Sequence, residues 1–123
     1  MEDLHLIFSK IRSLLKKYQP PLAPKTDRDG NFDLWSFKDV VVAGRKRKEV
    51  FFAGAIIQKS YVGFYFMPVY VDADLKKVFE PELLSMLKGK SCFYIKKNNA
   101  DTFRQIEQAL KIGFEMYQKN GWV

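Results

Sequence analysis

The chain has 123 residues, 47% of them hydrophobic and 15% aromatic, and carries a formal net charge of +7. That is enough apolar material for a self-sufficient core and too much for a disordered segment. No stretch approaches the roughly 20 apolar residues of a membrane-spanning helix, and a single cysteine allows no internal disulfide. A reducing, cytoplasmic setting is therefore expected, and the acidic Met1-Glu2-Asp3 start, followed by Lys10 and Arg12, is unlike a secretory leader.

Leu4, Ile7, Phe8, Ile11, Leu14, Leu15 and Tyr18 recur at three- and four-residue spacing, which predicts an amphipathic helix over residues 3–18. Lys10, Arg12, Lys16 and Lys17 occupy its other face, the last two where the helix dipole favours cations. Gln19-Pro20-Pro21 stops it, and the stretch through Asn31 reads as a loop. From Phe32 the apolar period falls from 3.6 to two. Strands are expected over 32–43, broken near Lys38-Asp39, and over 49–58 and 61–71, with Arg45–Lys48 and Lys59-Ser60 as the turns. A two-residue turn at Lys59-Ser60 sets Gln58 opposite Tyr61, Ile56 opposite Gly63 and Gly54 opposite Tyr65. The glycines then make room for large neighbouring rings.

Asp74 and Pro81 are start signals for one or two short helical turns in 74–88, and Gly89 is a stop. Cys92–Lys96 reads as a further strand. A second long helix spans about residues 100–119, with Asn99 or a neighbour as its cap and Phe103, Ile106, Leu110, Phe114 and Tyr117 on one face. Glu107 and Lys111, and Glu115 and Lys119, are spaced for ion pairs along it. Gly121-Trp122 fits a left-handed cap with an apolar contact behind it. This order predicts one α+β domain over residues 1–123, an antiparallel sheet of about five strands with the two long terminal helices on one face.

One feature departs from a simple two-layer pattern. Val50, Phe52 and Ile56 on one side of a strand oppose Phe51, Ala53 and Ile57 on the other, and Val62, Phe64 and Phe66 oppose Tyr61, Tyr65 and Met67. A sheet covered on one face should alternate apolar with polar. The second face is thus expected to be covered by the long loop and the 74–88 segment, by a second copy of the chain, or by a ligand or protein partner. Tyr61, Tyr65 and Met67, with Trp35, are the candidate binding residues, because rigid rings with polar tips suit recognition.

Particular words carry a family resemblance. Tyr61-Val62-Gly63-Phe64-Tyr65, Met67-Pro68-Val69-Tyr70 and Leu87-Lys88-Gly89-Lys90-Ser91-Cys92-Phe93 resemble the YdhG-like domain family. Phe51-Phe52-Ala53-Gly54 and Gly121-Trp122 fit the same pattern, so that the likeness covers residues 30 to 122. The resemblance implies a fold similar to that of frataxin. It also implies kinship with a branch described as an iron chaperone for iron–sulfur cluster assembly.

The residues that bear chemistry point away from catalysis. Nucleophilic catalysis needs a thiol or hydroxyl beside an oriented base, yet the one histidine, His5, and the one cysteine, Cys92, are far apart in the chain, and Cys92 is expected in the core. Gly89-Lys90-Ser91 lacks the preceding glycine of a phosphate loop, since Leu84 stands there, and a strand follows it. Asp27–Asp33 has Phe32 where a calcium loop needs glycine. The first helix offers only Glu2 and Asp3 as acids, so iron ligands would have to come from Asp72, Asp74, Glu80 and Glu82, the one dense acidic patch. No other cofactor is expected. Arg45–Lys48 reads as a solvated tip, because nucleic-acid binding needs several phosphate contacts on one surface. The expected function is non-enzymatic binding of a protein or small ligand through the sheet face. Iron carriage is the alternative, and nucleic-acid binding through the basic run is a second one.

Overall fold

The computed structural model describes residues 3–123; Glu2 lies outside them. Asp3 caps the first helix, α1 (Leu4–Lys16), its carboxylate accepting from the amides of His5 and Leu6 at 3.0 and 3.3 Å. The apolar spacing gives α1 one buried stripe of Ile7, Phe8, Ile11 and Leu15. Eight strands follow in chain order: β1 (Asp27–Arg28), β2 (Asn31–Ser36), β3 (Val40–Val42), β4 (Arg45–Arg47), β5 (Val50–Ile57), β6 (Val62–Phe66), β7 (Leu87–Lys88) and β8 (Cys92–Ile95). Six of them form one antiparallel sheet in the order β1-β2-β5-β6-β8-β7, while β3 and β4 pair separately. The count exceeds the expected five because two-residue strands extend both edges of the sheet.

The Lys59-Ser60 turn sets the expected register: Gly54 faces Tyr65, Ile56 faces Gly63, and the Gln58 amide donates to the Tyr61 carbonyl at 2.8 Å. Two other expectations are corrected. The basic run is a strand and not a turn. The turn lies at Ala43 and Gly44, whose φ angles of 51° and 79° suit the two-residue hairpin that matches strand twist. The strand expected to reach residue 71 ends at Phe66, and Met67–Val71 is a short helix, α2. Pro68 falls in its first turn, where the missing amide hydrogen removes no bond.

The apparent two-sided apolarity of β5 has a specific cause. Pairing with β2 steps from Leu34↔Ala53 to Trp35↔Phe51, leaving Phe52 without a partner, which is a β-bulge. The extra residue changes the phase of the strand. Val50 and Phe52 therefore join Ala53 and Ala55 on the helix side, all four buried, while Phe51 and Ile56 turn to the opposite face and are half-buried. The expected grouping of Phe52 with Ile56 does not hold.

The helix side carries the core: Phe32, Leu34, Phe52, Phe64, Phe66 and Phe93 are each 0% exposed. The last helix, α4 (Ala100–Lys119), lies over it beside α1, with Ile106, Leu110 and Tyr117 fully buried. Asn99 caps its start, accepting from the Asp101 and Thr102 amides at 2.8 and 3.3 Å. At its end Gly121 takes a φ of +74°, and Trp122 N donates to Tyr117 O at 2.8 Å while Gly121 N donates to Gln118 O at 3.1 Å. That is the paired-bond termination a left-handed glycine permits. Glu107 does not pair with Lys111 as its spacing suggested. It meets Lys17, just past α1, at 2.8 Å and so ties the two helices together. Among the described residues Glu115 and Lys119 form no ion pair with each other.

Most of the segment between β6 and β8 packs on the helix side, so the 74–88 stretch does not supply the cover that was one of the three expectations, and α2 alone brings residues to the rim of the opposite face. The segment contains α2, a 3-10 turn (Ala73–Val78) and the short helix α3 (Pro81–Ser85). Phe79 packs against Phe66 and Phe93 at centroid distances of 6.0 and 5.8 Å, and the Leu83 amide donates to Gln105 Oε1 of α4 at 3.1 Å. None of these contacts reaches the opposite face.

Close packing of α4 depends on Gly113. A Cβ there would stand 2.6 Å from Phe66 Cζ and 2.7 Å from Pro68 Cγ. Helix propensity favours alanine over glycine by about 1 kcal/mol, but overpacking a core typically costs about 1–3 kcal/mol. Gly113→Ala is expected to lose up to about 2 kcal/mol in denaturant titration; a gain in stability would show that α4 does not sit this close to the sheet.

Candidate functional site

The face opposite the helices is built by alternation. Asp33 and Trp35 of β2, Phe51 and Ile56 of β5, Tyr65 of β6, and Cys92 and Tyr94 of β8 are half-buried, whereas their strand neighbours on the helix side are buried. The loop before β2 covers only one end of this face. Ala23 bridges to Trp35, the Asp33 carboxylate accepts from the Lys25 and Thr26 amides at 2.8 and 2.9 Å, and Lys25 Nζ lies 3.9 Å from the Trp35 ring centroid. The rest is lined by rings and sulfur atoms.

Trp35 packs on Phe51 at 5.3 Å between centroids, and its buried Nε1 has no hydrogen-bond acceptor among the described residues. An unsatisfied buried donor costs about 1–3 kcal/mol, so this end of the face retains unused polar capacity. The Tyr65 ring leans back over Gly63, its Cε2 only 3.0 Å from where a Cβ would stand. Gln58 Nε2 donates to the Tyr65 hydroxyl at 3.5 Å. Tyr61 stacks on Tyr94 at 3.9 Å with 11° between the planes. Hydrogen bonding to the Tyr94 hydroxyl pushes the Tyr61 phenol up to about 12. Burial, with the Cys92 thiol alongside, raises that of Tyr65.

Of the four expected binding residues, Trp35, Tyr65 and Met67 line one shallow depression of about 350 Å³, together with Phe51 and Ile56. Met67 reaches it from the start of α2 and not from a strand. Tyr61 stands apart from the depression, engaged by Tyr94. Phe51, Ile56 and Tyr94 are the members that sequence reasoning missed. The signal for Tyr94 was its place two residues after Cys92, which pairs directly with Tyr65.

The four candidate metal ligands do not converge. Asp72 caps the 3-10 turn, accepting from the Asp74 amide at 3.0 Å, and Asp74 reaches Lys77 at 3.6 Å. Arg104 holds both oxygens of Glu80, at 3.0 and 2.8 Å, and Glu82 accepts from the Thr102 hydroxyl at 3.1 Å. Each carboxylate is directed to its own partner: Asp72 to a helix-start amide, Asp74 to Lys77 three residues on, and Glu80 and Glu82 to side chains of α4. Among the described residues no three of His, Cys, Asp and Glu are grouped to hold a metal ion.

Cys92 and His5 do not form a nucleophile–base pair either. His5 is exposed at the start of α1, 3.6 Å from Asp29, whereas Cys92 lies on the opposite side of the sheet. The expectation of a core cysteine is corrected, because strand alternation gives Cys92 to the aromatic face, half-buried. Burial raises its thiol above the ordinary 9.0, against a smaller opposing contribution from the Tyr65 hydroxyl. No helix of the described residues is long and apolar enough to cross a membrane. Comparison with protein-family models, with curated proteins and with solved structures finds no match to this chain.

A thiolate is the reactive form of cysteine, so the raised thiol sets a pH dependence. The rate of Cys92 alkylation by iodoacetamide should rise with pH with a midpoint above 9.0, and at pH 7 it should be slower than that of free cysteine. A midpoint near or below pH 7 would show an activated nucleophile and contradict the assignment.

Proposed function

We propose that this chain is a non-enzymatic binding domain of the YdhG-like type that captures a ligand or protein segment on the aromatic face of its sheet. One observation carries the reading. Both long helices and α3 pack on one side, so Trp35, Phe51, Ile56 and Tyr65, joined by Met67 from α2, are left half-buried around a depression on the other. Rings held by a sheet lose little freedom on binding and bring large apolar area to a partner. In this chain the words that carry the resemblance play structural parts: Gly54 stands opposite Tyr65, Pro68 opens α2, and Gly121-Trp122 ends α4. A frataxin-like fold belongs to the same proposal. Iron carriage draws no support from the acidic patch, whose carboxylates are separately engaged.

The test uses an uncharged aromatic probe, N-phenyl-1-naphthylamine, followed by fluorescence. The native protein should bind it saturably. Tyr65→Ser should bind it about tenfold more weakly, an amount consistent with loss of one aromatic contact, with little change in thermal midpoint. Absence of saturable binding, or equal affinity in the two proteins, would remove the face from consideration.

A further inference from the structure

The depression does not end at Met67. It runs into a deeper groove of about 520 Å³ between the β3–β4 hairpin and α2, which shares Trp35, Phe51 and Met67 and adds Val42, Tyr70 and Val71. Its apolar rim is unusually bare, Tyr70 being 55% and Val71 40% exposed. The charged residues lining it are Arg45, Arg47 and Glu49. Glu49 is held by the ammonium of Lys25. Arg45 and Arg47 are two apart on β4, which puts both on one face of the strand. Neither is in an ion pair with a carboxylate of the described residues, whereas Arg12 and Arg104 each hold an aspartate or glutamate at 2.8 Å. The groove therefore has an apolar floor and a wall with two unneutralised guanidinium groups.

We propose that this groove binds a small organic anion, an apolar body carrying a single acidic group, with Arg45 and Arg47 receiving the charge. The proposal rests on the reading of the aromatic face as a binding surface and names the class of its occupant. Guanidinium forks match carboxylate, sulfonate and phosphate oxygens. Beside an apolar wall their attraction is stronger than in bulk water, and the net charge of +7 favours the approach of anions. The volume lies in the range of small-molecule sites, about 300–1,000 Å³. A single-stranded nucleic acid fits less well. It needs successive exposed rings for successive bases, yet here Trp35 and Phe51 pack on each other, the Trp35 ring is already faced by Lys25, and only Tyr70 among the rings of the groove is freely exposed.

The probe is 8-anilinonaphthalene-1-sulfonate, titrated into the folded protein and into an Arg45→Gln/Arg47→Gln variant. The native chain should bind one equivalent, at least about tenfold more tightly than the variant, and added salt should weaken the complex. N-phenyl-1-naphthylamine, which lacks the charge, should bind both proteins alike and so report an intact face. In a nitrogen-15 spectrum the indole signal of Trp35 should move. That of Trp122, which donates to Val41 O at 3.2 Å on the other side of the hairpin, should not. Equal binding of the sulfonate by both proteins, or movement of Trp122 in place of Trp35, overturns the anion groove while leaving the aromatic face standing. Failure of both probes removes the groove and the binding face together. A short oligothymidylate that binds more tightly than the sulfonate, and is lost in the same variant, would reassign the arginines to nucleic acid and overturn the proposal.

Discussion

An antiparallel pair of strands has no freedom to change which side chains face the core unless a residue is added to one of them. Phe52 is that residue. Its ring is 0% exposed and lies 5.1 to 6.1 Å from those of Tyr18, Phe66, Phe114 and Tyr117, so the end of α1, the central strand β6 and the helix α4 meet around it. The bulge also turns the Phe51 carbonyl to the Tyr117 hydroxyl, which donates to it from α4. Burial holds that phenol well above its ordinary value of 10.0, so it stays a donor throughout the neutral range. Phe51 itself is sent to the other face, where it meets Trp35.

From that single phase change the layout of both faces follows. The helix side gains two consecutive buried side chains, Phe52 and Ala53, and α1, α4 and α3 all find apolar surface there. The far side receives the rings that the core cannot use. The C-terminus completes the arrangement. Trp122 packs on Tyr117 at 5.0 Å, accepts from the Ser36 hydroxyl through its carbonyl, and donates its indole hydrogen to Val41 O in the hairpin. Gly121 places Trp122 for these bonds by reversing the chain in a conformation that L residues with side chains rarely adopt. The hairpin is thereby held beside α2, and the groove bearing Arg45 and Arg47 lies between them.

Much of this was legible in the residues, and for physical reasons. Period 3.6 marks α1 and α4 because each has one stripe to bury, and Asn99 and Gly121 mark the ends of α4 because unpaired backbone groups must be satisfied there. The two-residue turn at Lys59-Ser60 fixed the pairing of Gly54 with Tyr65. The bulge was not legible. Phe51, Phe52 and Ala53 are all apolar, so no polarity change marks where the alternation slips, and a strict period of two assigns Phe52 to the wrong face. Pro68 did carry a signal against a strand through residue 71, since proline cannot donate to a ladder. Positive φ at Ala43 concealed the true hairpin turn, which the more polar Arg45–Lys48 run seemed to supply. The acidic patch misled for a different reason. Asp72, Asp74, Glu80 and Glu82 are close in sequence, but two successive helical starts aim them at separate partners.

Alanine substitution of the two neighbouring phenylalanines of β5 tests the bulge most directly, because an unbroken strand and a bulged one assign them opposite environments. Phe52→Ala should cost about 3–5 kcal/mol in denaturant unfolding, as for a fully enclosed ring. Phe51→Ala, half-buried on the open face, should cost clearly less and leave the cooperativity of unfolding unchanged. Equal losses, or a larger one for Phe51, would show that the strand is not re-phased at Phe52 and that the aromatic face is not the one built here.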